Sequence, residues 1–195
     1  ASQTNAVYSI STDKTYFDCT NFFFEIDRED GFRMKGPSKE NRKDPIVGLG
    51  LLLDSNLVPV GMKMYPGNES EKPVLRKVVS QMKKQHNIDG RTIHVADKGL
   101  NCAENIAFSK KAGDGYLFSK SVKMLPEKEK IWVLLDQGFQ EARDKKGKLL
   151  YRYKSCVDKF PYDILYEGKM KTVFLTEKRL LTYSPSLAAK KRYEI

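Results

Sequence analysis

Hydrophobic and polar positions along the first 118 residues alternate with two different periods. Residues 15–26, TYFDCTNFFFEI, are rich in aromatic and β-branched types and predict a strand that carries Asp18 among hydrophobic neighbours. Residues 27–45 are polar and hold Gly31, Gly36, Pro37 and Pro45, which predicts a loop. Two apolar runs, 46–53 and 57–65, flank Asp54-Ser55-Asn56, a turn composition that favours an antiparallel hairpin. Beyond Pro66-Gly67-Asn68 the period changes. Val74, Leu75, Val78, Val79 and Met82 recur at helical spacing, with Ser70 placed to cap the helix and Pro73 tolerable in its first turn. The run RTIHVAD, 91–97, has the short apolar centre of a strand within a covered sheet. Residues 102–112 predict a second helix, with Ala103, Ile106 and Ala107 on its buried side and Gly113 as a stop signal; 116–118 close a fifth strand.

Three antiparallel strands, a helix, a strand, a helix and a strand make an α/β layout with a mixed sheet, in which the crossover helix lets the first and fourth strands lie side by side and parallel. After Ser119 the texture changes. Short strand-like runs at 131–135, 149–153, 164–166 and 172–175, separated by charged turns, predict a β-rich module, and Ser184-Pro185 reads as a helix start. The expected organisation is a core at 1–118, a basic β-rich insertion at 119–183 and the start of a helix at 184–195.

Composition sharpens this picture. The 195 residues carry 35 Lys or Arg and 25 Asp or Glu, a formal charge of +10. Residues 1–118 hold 17 basic and 15 acidic side chains and 119–195 hold 18 and 10, so 18 − 10 places +8 of the charge in the second part. Such a field attracts polyanions; the interleaving of aromatic runs with charged turns, rather than a basic amphipathic helix, favours nucleic acid over a membrane surface. Cys19, Cys102 and Cys156 form no CxxC pair and suggest neither a disulfide framework nor a zinc site, in keeping with a reducing cytosol. His86 and His94 are the only histidines, which leaves little room for histidine-based catalysis; His94, within a buried strand pattern, reads as a core residue. No apolar stretch approaches the length of a membrane span.

The predicted strand order lets Asp18 and Asp97 approach each other. Facing carboxylates are costly unless a cation compensates, and hard oxygen ligands without a Cys or His cluster suggest Mg²⁺ or Mn²⁺. A pair of such ions suits phosphodiester chemistry. Glu104 is a weaker third ligand, since it sits on the early turns of a helix whose expected buried side is elsewhere. Lys145, Lys146, Lys148, Arg152 and Lys154, interleaved with Tyr151 and Tyr153, have the composition of phosphate contacts with base stacking, and equally that of a solvated hairpin. Trp132 reads as core of the second module.

The segments YFDCTNFFFE (16–25), VGLGLLLDSNLVPVGMKMYPGNESE (47–71) and VADKGL (95–100) resemble the catalytic core of bacterial insertion-sequence DDE transposases. The branch they resemble has a ribonuclease-H-like core interrupted by a long β-rich insertion. The resemblance covers most of 16–118. It implies that Asp18 and Asp97 are catalytic metal ligands, for two Mg²⁺ or Mn²⁺ ions in the complete enzyme, and that the substrate is double-stranded DNA, transposon ends and target. It further implies a homodimer in the synaptic complex, a place in the bacterial cytoplasm at the nucleoid, and no membrane. Lys98 joins the expected DNA contacts. Asn68 reads first as a turn residue, while the family context also allows it a place near the site. One departure stands out: the family's third carboxylate lies in a Tyr-x2-Arg-x3-Glu-x6-Lys pattern, and none of the ten tyrosines here has Arg three positions onward. Tyr193-Glu194 lacks the spacing. The expectation is therefore that the chain ends before that Glu and is weakly active or inactive alone. The competing readings are another ribonuclease-H-like nuclease, such as a junction resolvase, and a non-catalytic DNA-binding module.

Overall fold

The computed structural model describes residues 10–37, 43–88, 90–166 and 168–193. The chain divides into two compact units, 1–120 and 121–195.

The first unit is built on five strands: β1 (Lys14–Phe23), β2 (Ile46–Leu53), β3 (Pro59–Pro66), β4 (Ile93–Ala96) and β5 (Gly115–Phe118). Their order is β3-β2-β1-β4-β5. β1 pairs antiparallel with β2 and β2 with β3, whereas β1–β4 and β4–β5 are parallel. This is the mixed ribonuclease-H-like sheet that the sequence led us to expect. The parallel connections run through α1 (Lys72–His86) and α2 (Ala103–Lys111).

The α1 stripe read from helical spacing, Val74, Leu75, Val78, Val79 and Met82, is buried, and each such side chain contributes about 1.5–3 kcal/mol of transfer free energy. It packs against Phe17, Cys19, Leu52, Val60 and Tyr65. Two glycines of β2 make that packing possible. A Cβ on Gly48 would lie 2.1 Å from Tyr65 Cζ, and one on Gly50 would lie 2.7 Å from Phe17 Cζ and 2.8 Å from Val74 Cγ1. The helix starts one residue later than Ser70 implied: Glu71 is its N-cap residue, and Ser70 Oγ accepts only a long 3.4 Å bond from the Lys72 amide. Asn87 ends it in the left-handed conformation. On α2 the buried positions are Asn105, Ile106 and Ser109, not Ala103 and Ala107. The polar pair is tolerated because Asn105 accepts from Arg76 Nη1 at 2.5 Å and donates to the Leu100 carbonyl at 2.8 Å, while Ser109 Oγ donates to the Asn105 carbonyl.

The strand residues that alternate with this core form the other face of the sheet: Leu49, Leu51, Met62, Met64, Val95, Leu117 and Asp18. They stay half-buried to exposed, Met62 at 65% and Leu117 at 60%.

The second unit holds α3 (Glu127–Leu134), β6 (Gln140–Arg143), β7 (Leu149–Tyr166), β8 (Lys169–Tyr183) and α4 (Pro185–Tyr193). It is β-rich as expected, with two differences. Three of the four expected short strands, 149–153, 164–166 and 172–175, are parts of one continuous hairpin, β7 and β8 pairing from Arg152↔Tyr183 to Tyr166↔Lys169. The run at 131–135, expected as a strand, is the end of α3, whose first turn carries Glu127 and Glu129 where the helix dipole favours anions. Pro185 opens α4 at the first helical position. No helix among the described residues is long and apolar enough to cross a membrane.

Candidate active site

β1 and β4 run parallel with Thr15 beside His94, Tyr16 beside Val95 and Phe17 beside Ala96. The paired register ends at Phe17 and Ala96; Asp18 and Asp97 are the next residue of each segment, so its continuation would set them on neighbouring strands, which lie about 4.8 Å apart. Both aspartates are exposed, whereas Phe17 and Ala96, which precede them, are buried in the core. Alternation therefore sets the two carboxylates on the face opposite α1 and α2.

Each is fixed by local backbone. Asp18 Oδ1 accepts from the Cys19 amide at 2.8 Å. Asp97 ends β4 in an extended conformation and caps the 3-10 turn Lys98–Leu100, its Oδ1 accepting from the Gly99 amide at 2.9 Å and the Leu100 amide at 3.3 Å. The turn reading of Lys98-Gly99 holds: one Asp97 oxygen caps the turn while the residue remains exposed. Two exposed carboxylates of adjacent strands suit a divalent cation, because hard oxygen donors and a shared negative field are what Mg²⁺ and Mn²⁺ select. Among the described residues, no group of three His, Cys, Asp or Glu is placed to hold a metal. Glu104 lies on the first turn of α2 with Cys102, Arg76 and Lys72 as its electrostatic neighbours. The amide of its own residue, then the Cys102 side chain, hold its carboxyl below the usual range.

Asn68 is exposed in the turn that follows β3, where the Glu69 amide donates to the Pro66 carbonyl. Lys98 is exposed directly after Asp97. Lys145, Lys146 and Lys148 are exposed on the β6–β7 turn, which Asp144 organises by accepting from the amides of Lys146 and Lys148 at 2.8 and 2.9 Å. Arg152 is half-buried, its guanidinium 4.6 Å from the Phe139 ring centroid and 3.2 Å from Asp136 Oδ1.

Lys154 departs from its expected role as a phosphate contact. It is only 5% exposed, and its ammonium donates to the carbonyls of Trp132 at 2.6 Å and Leu135 at 2.5 Å. It sits 4.6 Å from the centroid of Phe139 and 5.0 Å from that of Trp132. These carbonyls lie at the end of α3, so Lys154 satisfies a helix C-terminus and meets its dipole. Sequence reasoning missed this because it placed a strand where α3 ends.

A second polar cluster lies in the core. Thr15 Oγ1 and His94 Nδ1 are 2.9 Å apart, His94 Nε2 and Asp114 Oδ2 are 3.0 Å apart, and Asp114 Oδ1 accepts from Lys83 Nζ at 2.6 Å and the Thr92 amide at 2.9 Å. Burial pushes the His94 imidazole below its ordinary pKa, against the pull of Asp114. Burial pushes Asp114 upward, but Lys83, the Thr92 amide and His94 together hold it below the usual carboxylate range. A neutral His94 donates from Nε2 to Asp114 and accepts the Thr15 hydroxyl at Nδ1. Thr15, His94 and Asp114 order as in a hydrolase triad, yet all three are buried, so no substrate reaches them.

No family model matches the chain, and no curated protein matches it. Among solved structures it is similar to the Mos1 transposase paired-end complex with left transposon end, at 12% identity and TM-score 0.39 over 60% of this chain. It is also similar to the piggyBac transposase synaptic complex with hairpin DNA, at 13% identity and TM-score 0.43 over 88% of this chain. The chain spans 38% and 33% of those two chains, respectively.

Proposed function

We propose that this protein is catalytic core of a DDE transposase of the insertion-sequence type, carrying out metal-dependent DNA strand cleavage and 3′-OH strand transfer. The observation that supports the reading is the parallel register of β1 and β4, which ends at Phe17↔Ala96, with Asp18 and Asp97, both exposed, as the next residue of each segment. The sequence resemblance at 16–25, 47–71 and 95–100 supports it. In this reading Asp18 and Asp97 would hold Mg²⁺ or Mn²⁺, two ions in the complete enzyme. Such ions supply charge neutralisation at the attacking and leaving oxygens of a phosphodiester. The chain's own part is to hold the two carboxylates in place: the Cys19 amide orients Asp18, and the Gly99 and Leu100 amides orient Asp97. Lys98, Lys145, Lys146 and Lys148 would hold DNA phosphates, and the DNA-bound form would be a homodimeric synapse in the bacterial cytoplasm. A third carboxylate would come from outside these 195 residues.

The test is nicking and strand transfer on labelled duplexes in Mg²⁺ or Mn²⁺, comparing this chain with a protein extended beyond Ile195. The extended protein should nick and join, the 195-residue chain should be far slower, and Asp18→Asn or Asp97→Asn should abolish both steps while DNA binding persists. Retained activity in either Asn variant contradicts the reading. Equal rates for the two lengths place the third ligand within the chain, and hydrolysis without joining points to a resolvase-type nuclease.

A further inference from the structure

Among the described residues, the β7–β8 hairpin has one long edge partly covered, that of β7, and one that no strand covers, that of β8. β6 covers β7 at Leu149–Tyr153 alone, through pairs such as Gln140↔Tyr153 and Arg143↔Leu149. Past that point, β7 carries Pro161 in the middle of an unbroken ladder with β8, opposite Phe174. A proline fits there without losing a ladder bond only if its nitrogen faces away from β8, so Pro161 removes a donor from the outer edge of β7 and blocks pairing on that side. The same geometry makes Pro161↔Phe174 a non-hydrogen-bonded pair, which turns the N–H and C=O of Phe174 outward on β8. Thr172 and Thr176, two positions away on either side, face outward as well. β8 is the last strand of its sheet and holds no proline.

The residues along this open edge are self-complementary. Residues 171–177 read KTVFLTE. Laid antiparallel on a second copy about a two-fold axis at Phe174, Phe174 meets Phe174, Thr172 meets Thr176, Val173 meets Leu175 and Lys171 meets Glu177. Aromatic, hydroxyl and aliphatic pairs are matched like with like, and the charged pair is of opposite sign, the combinations that stabilise antiparallel neighbours. Glu177 already accepts from Tyr162 and Arg179, so Lys171 of the second copy would join a fixed carboxylate. Phe174 is 66% exposed, on the same face as Met170 and Leu180. Pairing would bring the two Phe174 rings together and carry that apolar face across the axis.

We propose that β8 is a homodimerisation edge, and that two copies of this chain join through antiparallel β8–β8 pairing centred on Phe174. The contact is isologous, so it closes at two chains instead of extending into a fibre. It goes beyond the strand-transfer reading and stands without it, because neither metal nor DNA enters.

Sedimentation equilibrium from micromolar to near-millimolar concentration, without DNA or metal, tests it. The wild type should show a reversible species of twice the chain mass. Phe174→Lys, which sets like charges against each other at the axis, should raise the dissociation constant at least tenfold with an unchanged circular dichroism spectrum. Val157→Lys, on the same sheet face but on β7, should leave it unchanged. Amide exchange at Thr172, Phe174 and Thr176 should slow as concentration rises. A wild type that stays monomeric throughout overturns the proposal. So does a dimer that survives Phe174→Lys, or one weakened equally by Val157→Lys, which marks packing through the face and not the edge.

Discussion

Asp114 shows how a single core residue ties the sheet to its helix. Its carboxylate joins Lys83 of α1, the Thr92 backbone and His94 of β4, so Asp114→Asn leaves the Lys83 ammonium without its counter-charge and gives the neutral His94 a weaker acceptor. Breaking a buried pair in this way costs about 3 kcal/mol, and urea denaturation should show a loss of that order. The pH dependence follows from His94. Its folded pKa lies below the unfolded value of about 6.5, so the unfolded chain binds more protons as the medium is acidified. The stabilisation is complete above that unfolded value and is lost as pH falls toward the folded pKa. Thermal melts between pH 8 and about 5 should fall on the acid side of this window, and a His94→Gln variant should flatten that part of the profile. The sequence marked His94 as a satisfied core residue, but its partners could not be read there. Thr15 lies 79 positions away and Asp114 lies 20, and only the parallel register of β1, β4 and β5 brings them together. The places of Asp18 within β1 and of Asp97 directly after β4 were legible because a charged residue interrupts an apolar strand pattern at each.

At the scale of elements, the first unit was readable because period, turn chemistry and breakers agreed in each segment. Its hairpin, crossover helix and parallel strands all stand where the pattern put them. The Gly48 and Gly50 contacts were not visible, since a strand glycine shows what it accommodates only once its neighbours are placed. Gly50→Ala should destabilise by about 1–3 kcal/mol, because its Cβ meets both Phe17 and Val74, measurable as a lower urea midpoint. The second unit was misread where charged residues punctuate its long strands. In β7 and β8, Lys, Asp and Glu alternate with apolar side chains and look like turns, yet a two-sided ribbon simply exposes them. Lys154 belongs to the same lesson, since its burial depends on α3 ending at its ammonium. Lys154→Met should lower the stability of that unit by about 2 kcal/mol by leaving helix-end carbonyls unpaired. The one tryptophan of the chain, Trp132, offers the fluorescence signal for this measurement.

For the whole molecule, charge and carboxylates are divided between the units: residues 121–195 hold 17 basic and 10 acidic side chains, 17 − 10 giving +7, while Asp18 and Asp97 lie in the first unit. The expected consequence is DNA binding with little sequence preference and a steep salt dependence, each neutralised phosphate adding about 0.9 to the logarithmic slope. Reversing Lys145, Lys146 and Lys148 together should flatten that slope in a fluorescence anisotropy series, while Lys154 should contribute through stability alone. The proposed function requires Asp18 and Asp97 to form one cation site. Its most direct test is a Mn²⁺ titration of the isotope-labelled chain, followed by paramagnetic broadening of amide resonances. Early, joint broadening is expected at Asp18, Cys19, Asp97, Lys98 and Gly99, lost in both Asp18→Asn and Asp97→Asn. Broadening that begins elsewhere, or that reaches one aspartate without the other, would contradict it.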